Sequence, residues 1–429
     1  MAQGYYEMDT QETSSTGVRT TPASIRRGSV DVTMMATVAA LVSIGLLTIY
    51  GTSALHASFD RATGGNSHYF FQKQASGAVI GTLFMVAAMR IDYDWYRRRI
   101  YWLLGGAFGL LSLTAVPGLS KTAKGASRWV ELGPLSFQPA EIVKIVIVMY
   151  AAYSITKKAD AMKNFFEAFV AHTVVMSPFL VLLLMQPDFG SSVVISAIVG
   201  LMLFVGGARM SYMAGLVVMG GVAVFWLISQ RAYRLERVMA WLDPWKDASD
   251  TGYQLVNSYI ALASGGFSGT GFGEGRGKLG YLPELYNDFV AASVGEELGL
   301  VGIALLCTLF VVFLWRGYVI AFEARDSFGA FLAFGLTTLI GMQAGINLCV
   351  VTGILPTKGL TLPFVSSGRT SLIIVMFAVG VLLNISQRNP DLSAARLSDR
   401  ERNVQRNTLR VKELEWRKRR RDENLKTVS

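Results

Sequence analysis

Residues 292–319 read ASVGEELGLVGIALLCTLFVVFLWRGYV, and from Leu298 to Trp315 eighteen residues pass without a charged side chain. A helix rises about 1.5 Å per residue and a bilayer's hydrocarbon core is about 30 Å thick, so roughly 20 apolar residues make one crossing. The stretch is therefore read as a membrane span. Nine more stretches read the same way: 31–52, 74–90, 100–117, 139–156, 167–185, 190–207, 212–229, 328–354 and 371–387. The expectation is an all-α polytopic membrane protein of about ten transmembrane helices, with a long extracytoplasmic loop between spans 7 and 8. Gly341, Gly345 and Asn347 mark the ninth span as a candidate for a break or kink.

Composition agrees with lipid as the solvent. Of 429 residues 52% are hydrophobic and only 16% charged, where soluble domains carry roughly 25%. The net charge of +10 does not point to nucleic acid, because the charges sit at the ends of apolar runs and in one basic tail. Cys307 and Cys349 fall inside apolar runs and are read as buried, inert thiols. No cleavable signal pattern precedes the first span. The chain divides into an N-terminal tail (1–30), a membrane core (31–388) and a basic C-terminal tail (389–429), the last suited to anionic lipid.

Basic residues set the orientation. With ten spans both tails share a side, and that side holds 26 of the 40 Lys and Arg against 13 opposite, with Lys144 inside a span. Positive-inside then predicts a multi-pass protein with both termini cytoplasmic. The 13 outward cations gather mainly in loops 118–138 and 230–291, with Lys358 and Arg369 in a third. A phosphate-bearing ligand on that face accounts for them; the alternative is that long loops tolerate charge.

Several short strings carry chemistry. In FQPAEIVK, Pro139 suits the first position of a helix, and Glu141 and Lys144 share a helix face three residues apart. Ionisable groups inside a span cost roughly 2.5–3.5 kcal/mol on insertion scales, so they pair or face a cavity; a structural ion pair and a polar substrate cavity both fit. In QPDFG, Asp188 is a helix cap before Ser191 or, second, a substrate contact. GGFSGTGFGEGRGKLG (265–280) is not a phosphate loop, since Phe272 and Leu279 stand where Gly and Ser or Thr are needed. Its backbone is permissive and suited to packing near helix ends or a ligand, with Arg276 and Lys278 as point charges. Asp288 lies where the long loop meets the membrane, desolvated enough for a general base, though a helix-start carboxylate is also a common cap. Glu296 and Glu297 lie deeper and call for partners of their own.

Taken in order, GASRW (125–129), FQPAEIVK, QPDFG, YRLERVMAWLDPW, GYQLVNSYIALASGGFSGTGFG, KLGYLPELYNDFVAASVGEELGLVG and LPTKGLTLPFVSSG resemble the SEDS family (shape, elongation, division and sporulation). These are polytopic peptidoglycan glycosyltransferases typified by FtsW and RodA, and LPTKGLTLP resembles the division branch more closely. The resemblance runs from about residue 30 to 388. It implies polymerisation of lipid II on the outer face by an inverting transfer, in partnership with a class B penicillin-binding protein and other divisome or elongasome proteins. It further implies Asp288 as base on the acceptor hydroxyl. The substrate-binding candidates are Arg128, Glu141, Lys144, Asp188, Arg234, Arg237, Lys278, Lys358 and Ser366. An assisting divalent cation, Mg or Mn, fits such chemistry, yet no metal cage is legible and no metal ligand is assigned. A lipid II flippase without chemistry is the alternative. The family commonly has Ser where Ala140 stands, His-Thr where Tyr286-Asn287 stand, and a Tyr-Gly-Gly run where Ser367, Gly368 and Arg369 stand. Arg369 in place of glycine adds bulk and charge on the outer face.

Overall fold

The computed structural model describes residues 28–388, apart from 60–62, 117, 124–125, 133–134, 231, 276 and 278–284. Most of the two expected tails therefore lies outside the described residues. In chain order the helices are α1 (Val32–Phe59), α2 (Tyr69–Arg90), α3 (Tyr93–Arg98), α4 (Ile100–Ser112), α5 (Pro139–Lys157), α6 (Ala171–Met185) and α7 (Phe189–Val205). There follow α8 (Met210–Ser229), α9 (Ala232–Leu242), α10 (Tyr253–Gly265), α11 (Val290–Phe322), α12 (Ser327–Val351) and α13 (Arg369–Gln387). Each of the ten apolar stretches carries a helix. Six are long and apolar enough to cross a membrane: α1, α5, α6 with the π turn Phe166–Val170 ahead of it, α11, α12 and α13. The protein is a multi-pass helical membrane protein.

The helix α5 forms the middle of the bundle. Apart from the Glu141–Lys144 pair its buried residues are almost all apolar, and 83% of its span is buried, against 28% for α11. A helix hydrophobic all round belongs inside, surrounded by other helices. Around it pack α4, α7, α12 and α13. Small residues let α2 and α13 come close: a methyl on Gly380 would meet the Met85 carbonyl oxygen at 2.3 Å, and one on Gly81 would meet Met376 Sδ at 2.6 Å. Close backbone approach through small residues is the usual way lipid-solvated helices associate. By contrast α8 is solvated along nearly its whole length, with Val217, Met219, Val222 and Phe225 all at least 64% exposed.

The ninth span is not broken. α12 runs unbroken through Gly341, Gly345 and Asn347, because nothing there supplies competing hydrogen bonds. The break lies in α11 at Gly299, with φ 64° and ψ −158°, a conformation essentially confined to glycine. The glycine-rich loop fills it. Thr270 N and Gly271 N donate to the Glu296 and Glu297 carbonyls at 3.0 and 3.1 Å, and Leu300 N donates back to the Gly266 carbonyl at 3.0 Å. Backbone groups freed inside a span must find partners, and this loop provides them. That is the close packing at a helix end expected of its permissive backbone.

The sequence reading did not anticipate a small antiparallel sheet ahead of α5. Its strands are β1 (Ser120–Ala123), β2 (Ala126–Leu132) and β3 (Leu135–Phe137), in that order, with Val130 opposite Phe137. β3 leads through Gln138 into Pro139 at the start of α5, so the sheet aims Arg128 and the first turn of α5 at the same end of the bundle. The described part of the long loop between α8 and α11 contains the helices α9 and α10. It is tied down by Trp241 Nε1 donating to the Gly353 carbonyl and Ser258 Oγ to the Val351 carbonyl, each at 2.8 Å. At the opposite end of the bundle, Asp31 caps α1 and pairs with Arg316 of α11, while Arg388 pairs with Asp92. Cys307 and Cys349 are free thiols, both half-buried rather than fully enclosed.

Candidate active site

Asp288 ends the loop that feeds α11, and its backbone surroundings are held by groups from three distant segments. Ser366 Oγ donates to the Asn287 carbonyl at 2.6 Å and accepts from Leu362 N at 2.7 Å, and Ser367 N donates to the Tyr286 carbonyl at 2.8 Å. Asn347 Nδ2, from α12, donates to the Asp288 and Leu360 carbonyls. Gln74, from α2, holds the other side: its Nε2 donates to the Ser366 carbonyl at 3.0 Å and its Oε1 accepts from Gly368 N at 3.1 Å. The Asp288 carboxylate lies against Gly359, where a methyl group would come within 3.2 Å of Oδ2. Glycine at 359 thus leaves room for the carboxylate next to Lys358. Ser366 spends its only proton on Asn287, so it offers a substrate an acceptor at most.

The cations converge on one aromatic ring. Lys358 Nζ and Arg234 Cζ lie 5.1 and 5.7 Å from the centroid of Phe189, the first residue of α7. A ring face attracts cations and keeps them oriented. Leu360 packs on the start of the same helix, where a methyl on Gly190 would lie 3.4 Å from its Cδ2. Burial pushes the Lys358 ammonium below the ordinary lysine range, because desolvation disfavours charge. The Arg128 guanidinium donates to the carbonyls of Gln186, at 3.4 Å, and Pro187, which sets the turn ahead of α7. Asp188 caps that helix by accepting from Ser191 N at 3.1 Å and Ser191 Oγ at 2.8 Å; both carboxylate oxygens are used this way. Arg237 is exposed on α9. Lys278 lies outside the described residues.

Glu141 and Lys144 pair at 2.8 Å and are buried to 7% and 2% exposure. Removing one member of such a pair strands a buried charge and typically costs about 3–5 kcal/mol. Ser371 Oγ bridges this pair to the Lys358 loop, 3.5 Å from both Glu141 Oε2 and Thr361 Oγ1. The stem of Arg369 lies across α2 at Gly77, where a methyl would be 3.1 Å from its Cγ. Glu296, deeper in α11, accepts from Gly277 N, which ties it to the glycine-rich loop.

One loop, 355–371, therefore brings Asp288, Lys358, Arg234 and the Glu141–Lys144 pair to one end of the bundle. Among the described residues no three His, Cys, Asp or Glu side chains stand together as a metal site. Sequence reasoning passed over Gln74 as a site residue and treated Asn347 only as a mark of a break. The available signal was a polar amide inside an apolar run, which needs a specific partner.

Helices that cross a membrane and gather a carboxylate, a buried ion pair and ring-bound cations at one end define a multi-pass membrane protein with a polar site under its loops. The family model described as "Cell cycle protein", that of FtsW, RodA and SpoVE, matches residues 32–390. The chain belongs to this family. It is similar to the "Probable peptidoglycan glycosyltransferase FtsW" of Geobacter metallireducens, 42% identical over 358 residues, covering 83% of this chain and 95% of that protein. The protein of the same name from Nitrosomonas europaea is 38% identical over 362 residues, 84% of this chain and 93% of that one. Among solved structures, a chain from "Structural coordination of polymerization and crosslinking by a peptidoglycan synthase complex" matches with TM-score 0.70 and 26% identity, covering 85% of this chain and 99% of that chain. The fold is also that of the rod shape determining protein RodA of Thermus thermophilus, with TM-score 0.61 and 24% identity over 85% of this chain and 98% of that one.

Proposed function

We propose that this protein is a peptidoglycan glycosyltransferase that polymerises lipid II on the outer face of the plasma membrane, with Asp288 as its general base. The carrying observation is the Asp288 carboxylate lying against Gly359, the chain neighbour of Lys358, on a backbone tied down by Ser366 and Asn347. Names of relatives about 40% identical over most of their length support the same activity. In this reading Asp288 takes the proton of the acceptor sugar hydroxyl. That oxygen forms a bond to the anomeric carbon of the donor as the carbon–oxygen bond to the diphosphate breaks. A single direct displacement inverts the anomeric centre. The negative charge leaving with the lipid diphosphate is met by Lys358 and Arg234, and preorganised charge of this kind is commonly the largest catalytic contribution.

The excess of Lys and Arg on the side of the tails supports ten spans with both termini cytoplasmic, which puts Asp288 outside. Likeness to a chain from a peptidoglycan synthase complex supports a crosslinking partner, a class B penicillin-binding protein. The buried Glu141–Lys144 pair also suits a lipid II flippase, so the test must separate transport from bond formation. Full-length protein in liposomes with labelled lipid II is expected to yield glycan chains. D288N should lose about 10²–10⁴-fold of that rate while still binding lipid II. Chains of undiminished length from D288N would end the base assignment.

A further inference from the structure

Asn347 belongs to α12, yet its amide serves two loops outside that helix. It is 1% exposed. Both of its protons are used: Nδ2 donates to the Asp288 carbonyl at 2.8 Å and to the Leu360 carbonyl at 2.7 Å. A side-chain NH2 group has two donors in one plane, so this one group fixes residue 288 and residue 360 relative to each other. Two residues before Leu360 stands Lys358, and between them Gly359 touches the Asp288 carboxylate. The amide's orientation is set by these two acceptors alone, because Asn347 Oδ1 is buried with no hydrogen-bond partner. A flipped amide would turn that oxygen toward two carbonyls and be repelled. Leaving an acceptor buried and unpaired is costly, and here the cost is borne where the chain joins its base to its cation.

We propose that Asn347 is a positioning residue for glycosyl transfer, setting the distance between the Asp288 base and the Lys358 ammonium without touching substrate. The proposal rests on the reading of Asp288 as base. Base and cation act on opposite ends of the bond exchange, the acceptor hydroxyl and the departing diphosphate, so their separation has to match the reacting geometry. Misplacement by about 1 Å typically costs on the order of 100-fold in rate. Ser366 and Ser367 hold residues 286 and 287, and Asn347 is the tie at residue 288 itself.

The test is steady-state polymerisation by the full-length protein in liposomes, with lipid II binding measured on the same preparations. N347A is expected to lower kcat by about 100-fold with KM and lipid II affinity almost unchanged. N347Q, which keeps both donors on a longer stem, should recover part of that loss. A residue that only fills space would show neither the split between kcat and KM nor the rescue. If N347A fails to fold in detergent, the pair N347S and N347Q answers instead, with kcat per lipid-binding molecule following the number of amide donors. Wild-type kcat in N347A, or kcat and lipid II affinity falling together in all variants, overturns the proposal. D288N is run alongside: an active D288N removes both the base and its positioning, whereas an inactive D288N with a fully active N347A removes the positioning alone.

Discussion

Lys358 stands over the Phe189 ring in the loop between α12 and α13, and burial holds its proton less tightly than a lysine in water. Two consequences of opposite sign follow. Without ligand, the unfolded chain binds this proton more readily than the folded one, so stability rises as pH climbs through the lowered value. Affinity for an anionic diphosphate runs the other way, because it needs the charged form. It should fall as pH rises through the lowered value, earlier than for an exposed lysine. K358R, always charged, should keep binding flat across that range, and K358M should remove the slope and cost about 1.5–3 kcal/mol of affinity. Lipid II binding titrated against pH checks all three. At this scale the sequence was informative where the chemistry is local. Asp188 followed by Ser191 reads as a cap and is one, and Glu141 with Lys144 reads as a pair and is one. The uses of Ser366 and Asn347 were not legible, because each serves a carbonyl 59 or more residues away, that of Asn287 for Ser366 and that of Asp288 for Asn347.

Helices were easy to find from apolar run length, since lipid forces each span to satisfy its own backbone. What escaped was the location of irregularity. Gly299 looks no different in sequence from Gly345, yet one breaks its helix and the other does not. The difference lies in the loop 266–271, whose backbone competes for the α11 carbonyls. G299A is therefore expected to cost at least about 3 kcal/mol, since its methyl would lie 2.4 Å from Gly269 N and 2.6 Å from the Phe267 carbonyl oxygen. G345A meets nothing within 4 Å and should be neutral or stabilise by up to about 1 kcal/mol. Melting temperatures of the two in the same detergent separate the real break from the apparent one. The sheet was missed for a related reason. Its strands are only three to seven residues long, too short for alternation to register.

Across the whole molecule, the bundle is unevenly filled. α5 is enclosed, while α8 exposes most of its side chains, and methyl groups at Gly215, Gly220 and Gly221 would touch nothing. The exposed apolar side chains of α8 suit contact with lipid. Leucine at 220 or 221 should therefore leave stability unchanged, whereas V218R should cost roughly 2.5–3.5 kcal/mol of insertion; the fraction of chains integrated into membrane vesicles measures both. The apolar runs that carry helices were readable from run length alone. Which run sits in the middle was not, since enclosure depends on partners that hydropathy cannot rank. The tie between Tyr286–Asn287 and Ser366–Ser367 has a further consequence for biogenesis. A ribosome must make some eighty residues after Asp288, and the membrane must accept the final helix, before the carboxylate has its support. With Asp288 as the proposed base, nascent and truncated chains are expected to make no wall polymer until that support is in place.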